Sequence, residues 1–586
     1  MDFGLPQGRG HTTYQAQDAL TLTRGRHIFK TGFDIARLIV KDQIPFNGRG
    51  TLTFNSGGGF TGLGNFLDDF SGQGTAAQKA FGNPEIRPKV FQQSYFLQDT
   101  WKLRENLTVD LGVRYEFQNN PENQLPFPGL DLNNPFTPLT QPVRVKEDGN
   151  NWAPRVGFAY TPHFWNGLFG HDKTVIRAAY GMFYDSFFTN ILDNTAAASP
   201  NAVLAQAQAT DNRGFADALG LVNTLSPVLN PRSSVTSVDS NLRNPLIHQW
   251  NFNIERELPW KLLASVAYVG TRGERLFAQD QLNPLTGFDA DGNVLPRVNP
   301  DRGSILIRDN GGDSIYHGMN VKVERRVSSG LQIRTAYTLG KLIDDASEVF
   351  FLGDAGRTAS PQNPDPRQRR TERGLSAYDV RQRLVVSYVW QVPGLKNSSN
   401  GFLNSLGFVT RGWEWSGSTV LQSGTPSTFF VSGIDTDGDG NAQNNRPFLG
   451  NPSAPLSAVG FDGQFLDSTA TCTVVPGTLY LNGDCNSPVN ADQVHFIIKP
   501  GRGNVGRNTY TNPGAVNFDM AVTRSFRIPG LEGHNLQARA EMYNVFNHAN
   551  LTNGVDTAVN DGDSFLNTRD ARFGGRKIYL ELKYIF

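Results

Sequence analysis

Apolar and polar residues alternate one by one through many separate stretches of this chain. One stretch places Leu107, Val109, Leu111, Val113, Tyr115 and Phe117 on one side, and Thr108, Asp110, Gly112, Arg114 and Glu116 on the other. Period two predicts a β-strand with one apolar and one polar face. Trp250, Phe252 and Ile254 oppose Asn251, Asn253 and Glu255 in the same way. Met319, Val321 and Val323 oppose Asn320, Lys322 and Glu324, and Leu384, Val386, Tyr388 and Trp390 share another face. Ala538, Ala540 and Met542 alternate with Gln537, Arg539 and Glu541. The chain ends on the same rhythm, with Ile578, Leu580, Leu582, Tyr584 and Phe586 apolar at every second position.

The pattern predicts about fifteen strands, near 13–23, 27–37, 91–102, 106–117, 152–162, 173–185, 247–257, 261–270, 317–327, 330–340, 382–392, 413–423, 515–527, 535–546 and 576–586. Their connections alternate between short and long. The long ones are 38–90, 118–151, 186–246, 271–316, 341–381, 424–514 and 547–575. A propeller would show regular blade-length repeats, and none is present. A soluble sandwich of this length would need many separate cores.

Eleven residues tilted at about 45° span roughly 25 Å, the height of the apolar band of an outer-membrane barrel. A slip of one residue would turn Asp110, Arg114 and Glu116 toward lipid. An arginine there costs about 2–4 kcal/mol at the bilayer midplane, so the register is firmly set. Tight turns on one side and long loops on the other are also the asymmetry of such barrels, with the turns periplasmic and the loops extracellular.

Composition agrees. Lys+Arg and Asp+Glu are 54 each, which leaves no electrostatic case for a nucleic-acid partner. Mean hydropathy is −0.38 over the 586 residues, and no apolar run approaches the roughly 18–20 residues of a membrane helix. Barrel strands hide their hydrophobicity by alternation. The amino terminus, Met1-Asp-Phe-Gly-Leu-Pro, lacks the basic segment and apolar stretch of a secretory signal, which an outer-membrane protein needs. Strand parity points the same way. If the last strand ends in the periplasm, the strand at 13–23 also runs toward it, and the two cannot pair antiparallel. Single-chain bacterial barrels have an even strand number, so an odd number of strands is expected to be lacking at the N-terminal side. Thr51–Phe54 and Ser304–Ile307 are the segments that would upset the count.

The terminal pattern Ile578, Leu580, Leu582, Tyr584 and Phe586 resembles the closing strand of bacterial outer-membrane barrels, which in that family is read by the barrel-assembly machinery. Leu536-Gln-Ala-Arg-Ala-Glu-Met-Tyr-Asn-Val-Phe-Asn-His-Ala-Asn-Leu551 resembles a recurrent segment of the Oar-like TonB-dependent receptors. So do Gly506-Arg-Asn-Thr-Tyr-Thr-Asn-Pro-Gly514, Asn244-Pro-Leu-Ile-His-Gln-Trp-Asn-Phe252 and Ala267-Tyr-Val-Gly-Thr-Arg-Gly273. Gln98-Asp-Thr-Trp101 and Leu107–Glu116 resemble the more general receptor-barrel pattern. The resemblance implies an all-β, transmembrane antiparallel β-barrel, here about fifteen strands of about twenty-two. It implies a partial barrel over 1–586, with N-terminal strands, plug and signal peptide absent and 424–514 as a large extracellular loop. It also implies TonB-coupled uptake of a bulky substrate, with the TonB system reached only through the absent N-terminal parts and no transport by this segment alone. Lipid, lipopolysaccharide and the assembly machinery are the implied partners. The alternative is a surface adhesion or assembly protein that works through its long loops.

Within the loop 424–514, Asp435, Asp437, Asp439 and Asn441 have the odd-position oxygens and tight glycine turn of a calcium loop. Arg446 stands at the twelfth position, where an EF-hand needs Glu. The choice is between a simpler Ca²⁺ loop and a solvated acidic turn. Cys472 and Cys485 share this loop, and an oxidising compartment favours a disulfide over two free thiols. The Arg-rich run Asp365–Arg373 reads as a solvated loop, with binding of lipopolysaccharide phosphate as the alternative. Trp101, Trp250, Trp260, Trp390, Trp413 and Trp415 lie near strand ends and read as interfacial belts. No nucleophile elbow, zinc motif or P-loop is present, so no enzyme is expected and catalytic residues are none. His548 reads as structural. Loops 186–246 and 424–514 are the longest candidate binding surfaces.

Overall fold

The computed structural model describes residues 8–586 apart from 45–46, 84, 290–291, 329, 351–360, 364, 395–401, 403–406, 408, 467–471, 529–530, 532, 552–554 and 568–573. Fifteen long strands form one continuous antiparallel wall. They are β1 (Gly8–Arg24), β2 (His27–Gln43), β3 (Lys89–Arg104), β4 (Leu107–Gln118), β5 (Asn151–Tyr160), β6 (Thr174–Tyr184), β7 (Leu246–Leu258), β8 (Leu262–Gln281), β9 (Ile305–Ser328), β10 (Leu331–Asp344), β11 (Gln382–Gln391), β12 (Trp413–Gln422), β13 (Ala515–Arg527), β14 (Asn535–Tyr543) and β15 (Lys577–Ile585). Each pairs with the next in chain order.

The register carries the apolar face from strand to strand. Leu111 lies opposite Val156, which lies opposite Tyr180, and Tyr180 lies opposite Trp250. Tyr268, Met319 and Leu339 continue the row. At the far edge, Met542, Ala540, Ala538 and Leu536 face Ile578, Leu580, Leu582 and Tyr584. These side chains are exposed: Leu111 is 46% accessible, Phe252 43% and Leu580 82%. The opposite face carries Asp110, Arg114, Asn253, Lys322, Glu324, Arg539 and Glu541. A wall with an exposed apolar face is stable only against hydrocarbon, and it satisfies its backbone groups through its own ladder.

Where the strands run past the apolar band, sequence and structure part. β8 and β9 have 20 and 24 residues, well beyond the expected 261–270 and 317–327. Toward their far ends the extensions lose the alternation, because both faces are covered there: Ala278, Gln279 and Asp280 are buried in succession, as are Ile307, Arg308 and Asp309. Ser304–Ile307 thus mostly prolongs an existing strand. Thr51–Leu52 joins a small separate sheet with Gly74–Gly82 and Ala202–Ala209. Neither adds a wall strand, and the count stays odd. Among the described residues, β1 pairs only with β2 and β15 only with β14, and the two edge strands run parallel to each other. Every residue of both is exposed.

The buried apolar clusters lie in the long-loop side, not behind the wall. Phe429, Val431, Val459, Phe461, Phe496, Ile498, Val505 and Val559 form one. Ile44, Ala80, Ala196 and Ala202 form a second. The connections 161–173 and 392–412 are longer than tight turns, which blurs the expected strict alternation of loop lengths; the first holds the short helix Asn166–Phe169.

Candidate functional site in the long-loop cap

The segment 423–514 is a folded unit rather than an open loop. It contributes a five-stranded sheet from Phe448–Leu449, Val459–Asp462, Leu479–Leu481, Pro488–Val489 and Phe496–Ile498. Alternation is legible in none of these two- to four-residue pieces. Phe429 anchors the unit, with its ring 4.8 Å from that of Phe496 and 5.3 Å from that of Tyr510. Cys472 and Cys485 are bonded, with Cα atoms 6.1 Å apart.

The Arg-rich run is not a solvated loop. Pro366–Glu372 forms a 3₁₀ turn that inserts two of its side chains between loops. The Arg369 side chain is 4% exposed and pairs with Asp280, and its Nη2 donates to the Gln279 carbonyl at 2.7 Å. Glu372 accepts from Arg446 at 2.9 Å, while Arg446 Nε donates to Gln362 at 2.8 Å. Arg507 Nε donates to the Glu372 carbonyl at 2.7 Å, and its Nη2 pairs with Asp344. Desolvation makes such pairs costly to bury, but removing one partner strands the other charge and costs about 3–5 kcal/mol. The network therefore fixes how the 423–514 unit seats on β8 and β10. Alternation and motif spacing do not single out Asp280, Asp344, Glu372, Arg446 and Arg507 as partners. The one available signal was a cluster of arginines interleaved with acids, which a solvated loop does not require. Arg446, the residue that spoils the EF-hand pattern, is one of this unit's two buried cations in the network, with Arg507. Arg370 and Arg373 from the same run stay exposed.

The acidic turn gathers Asp435, Asp437 and Asp439, with carboxylate oxygens within 4.8 Å of one another. Asp435 accepts backbone N–H bonds from Gly438, Asp439 and Gly440 at 2.8, 3.2 and 2.7 Å. Gly438 and Gly440 have positive φ, which lets the turn close around that carboxylate. Asn441 is not aimed at the cluster, because its side-chain oxygen accepts from the Gln443 amide at 3.0 Å. The Asp437 side chain is 4% exposed. Its Oδ2 accepts from Arg502 at 3.2 Å, and its Oδ1 is buried with no hydrogen bond. Burial, with Asp439 and Asp435 adding repulsion, pushes Asp437 up to about 7. Burial lifts Asp439 to about 6. Three carboxylates held this close could supply oxygen donors to a hard cation.

The tryptophans divide between the two ends of the wall. Trp101, Trp260, Trp390, Trp413 and Trp415 lie toward the short-turn end, and Trp250 toward the long-loop end. Trp250 lies over Gly270, where a Cβ would meet its indole at 2.2 Å. Around it, Tyr180 and Tyr268 hydroxyls bond His248 and His317, each at 2.7 Å. His548 lies past the end of β14, where its carbonyl accepts from Asn544. In the loop 185–245, the helix Thr189–Ala196 is tied to β1 and β2 through Arg9, which pairs with Asp193 and Asp42.

An exposed apolar wall, an interfacial aromatic belt at each end and a folded loop cap define an outer-membrane barrel. The outer membrane beta barrel domain family matches residues 2–578, and the chain belongs to that family. Among curated proteins it is similar to the TonB-dependent transporter Oar of Myxococcus xanthus, 26% identical over 183 residues, which is 29% of this chain and 14% of that protein. Among solved structures it is similar to the outer membrane transporter YddB of Escherichia coli, at 10% identity and TM-score 0.48. The ferric enterobactin receptor PfeA of Pseudomonas aeruginosa is matched at 11% and 0.45. Each covers 99% of this chain, which spans 55% and 54% of those structures. The chain is a β-barrel wall of the cell outer membrane.

Proposed function

We propose that this chain forms fifteen strands of the wall of a TonB-coupled importer of a bulky substrate, completed by an odd number of strands outside these residues. The observation that carries this is the odd, fully antiparallel ladder with two exposed, mutually parallel edges. In this reading the short turns are periplasmic, the loops extracellular, and the plug and TonB contact lie outside this chain, so these 586 residues alone do not transport. Ile578, Leu580, Leu582, Tyr584 and Phe586 serve as the signal for the barrel-assembly machinery, and their exposure on the outer face supports that role. The cap made by 185–245 and 423–514 meets the substrate. The Asp435, Asp437 and Asp439 cluster takes Ca²⁺, a role supported by the buried, unbonded Asp437 Oδ1.

The test is binding of the periplasmic domain of TonB. Protein extracted from the native outer membrane should bind it, and the 586-residue chain refolded alone should not. Native protein that fails to bind, while antibodies to the cap block cell–cell contact, would favour the adhesion reading instead.

A further inference from the structure

The small three-stranded sheet of the cap is covered on one edge and open on the other. Its middle strand, Gly74–Gly82, pairs on one edge with Thr51–Leu52. The Thr53 N–H donates to the Ala76 carbonyl and the Ala80 N–H to the Asn47 carbonyl, each at 2.9 Å, which extends that cover. On its other edge it pairs with Ala202–Ala209, the last strand of the sheet. An antiparallel strand turns the N–H and C=O of every second residue away from its partner. Among the described residues, no backbone of another segment bonds the outer edge from Val203 to Gln208, and Leu204, Gln206 and Gln208 are exposed there. Edges of this length are normally guarded. The five-stranded sheet of the same cap ends in two-residue strands, one of them opened by Pro488. Ala202–Ala209 has eight residues, no proline and no charge, and its register shift falls near its far end, between Ala207 and Gln208.

We propose that this edge takes the substrate as an added strand, and that the substrate is an extended peptide segment carrying an acidic side chain. A row of alternating backbone donors and acceptors is matched by another extended backbone, the basis of strand addition. Lys79 supplies the preference for an acid. It stands on the middle strand directly opposite Ala205, with its Nζ 5.3 Å from the centre of the Phe81 ring. Among the described residues it has no acidic partner. Val203, Ala205 and Ala207 share its face. A side chain seated opposite Ala205 on an added strand therefore reaches the Lys79 ammonium across a single methyl group. The inference rests on the reading that the cap meets the substrate, and it names the class of that substrate.

The test uses the native full-length protein in nanodiscs and a fluorescent octapeptide of alternating threonine and valine, with one central valine replaced by glutamate. A second version carries N-methyl groups on alternate amides, which blocks one edge of the peptide, and a third carries them on every amide. Strand addition needs one open edge. Binding read by anisotropy should stay within about fivefold for the second version and fall on the order of a hundredfold for the third. Glutamate should be favoured over glutamine at the central position by about threefold, the worth of one half-exposed ion pair. Lys79→Gln should erase that preference and Lys79→Arg keep it. Ala205→Glu, which sets an acid beside Lys79 within the chain, should erase it too. Heat-modifiable migration reports that each variant is intact. Intact wild type that binds no peptide at millimolar concentration, or binds the fully methylated one equally well, would overturn the proposal; if it still binds the TonB domain, the importer reading stands. Peptide binding without TonB binding would uphold the site and count against import. Dimers in analytical ultracentrifugation that the peptide cannot displace would assign the edge to a second copy and overturn the proposal.

Discussion

Single carboxylates and arginines decide the chemistry of the cap. Asp437 and Asp439 hold protons to about 7 and about 6, against an ordinary value of 3.8. A carboxyl raised in the folded state favours folding below its unfolded pKa, and that contribution is lost as pH rises through the folded value. Metal-free protein should therefore show faster amide exchange around Thr436 as pH climbs from about 4 to about 7, after correction for intrinsic exchange. Saturating Ca²⁺ should flatten the profile. Asp437→Asn should make it shallower without metal, leaving the Asp439 step near 6, and abolish the Ca²⁺ heat in titration calorimetry. A pH-independent profile, or no heat at millimolar Ca²⁺, would remove the site. Glu372→Gln tests the buried network. It strands Arg446, whose side chain is 10% exposed, and should destabilise the seating of the cap by about 3–5 kcal/mol, read as earlier proteolysis of 423–514. The grouping of Asp435, Asp437 and Asp439 was legible because carboxylates at alternate positions around glycines are a local signal, whereas the turning away of Asn441 was not. The Arg446–Glu372 pair was not, since its partners stand 74 residues apart and nothing local marks them.

At the scale of elements, wall and cap obey different rules. Leu111 lies mid-strand on the outward face, and Gln98 is exposed on the inward face. Leu111→Arg should cost about 2–4 kcal/mol in reversible unfolding from bilayers, and Gln98→Arg close to nothing. Equal costs would mean the wall faces have been assigned the wrong way round. In the cap, Phe429→Ala should cost about 3–5 kcal/mol and loosen 423–514 while leaving the wall's exchange protection unchanged. A wall that unfolds together with the cap in that variant would contradict their separation. All fifteen wall strands were readable because lipid on one side and water on the other impose a strict period of two from Leu107 to Phe117 and again from Ile578 to Phe586. The extensions of β8 and β9 were not, because Ala278, Gln279 and Asp280, like Ile307, Arg308 and Asp309, are buried in succession and the period lapses. The five short strands of the cap were hidden for a similar reason, since two to four residues are too few to show a rhythm.

For the whole molecule, the ladder is an arithmetic statement. An antiparallel sheet of fifteen strands has parallel outer edges, and β1 and β15 cannot close on each other as bacterial barrels do. Both edges are long and exposed, and β15 is strongly apolar outward, a combination that invites pairing. The polar inward face, with Arg114, Asn253 and Glu541, suits a filled or watery lumen, as in plugged barrels of about twenty-two strands. The most direct measurement is the intact mass and amino-terminal sequence of the mature protein extracted from outer membranes. A fifteen-strand segment of a larger barrel should come from a polypeptide substantially heavier than 64.5 kDa, whose added part supplies an odd number of wall strands. A mature chain of this mass that resists proteolysis as a closed, heat-modifiable barrel would contradict it.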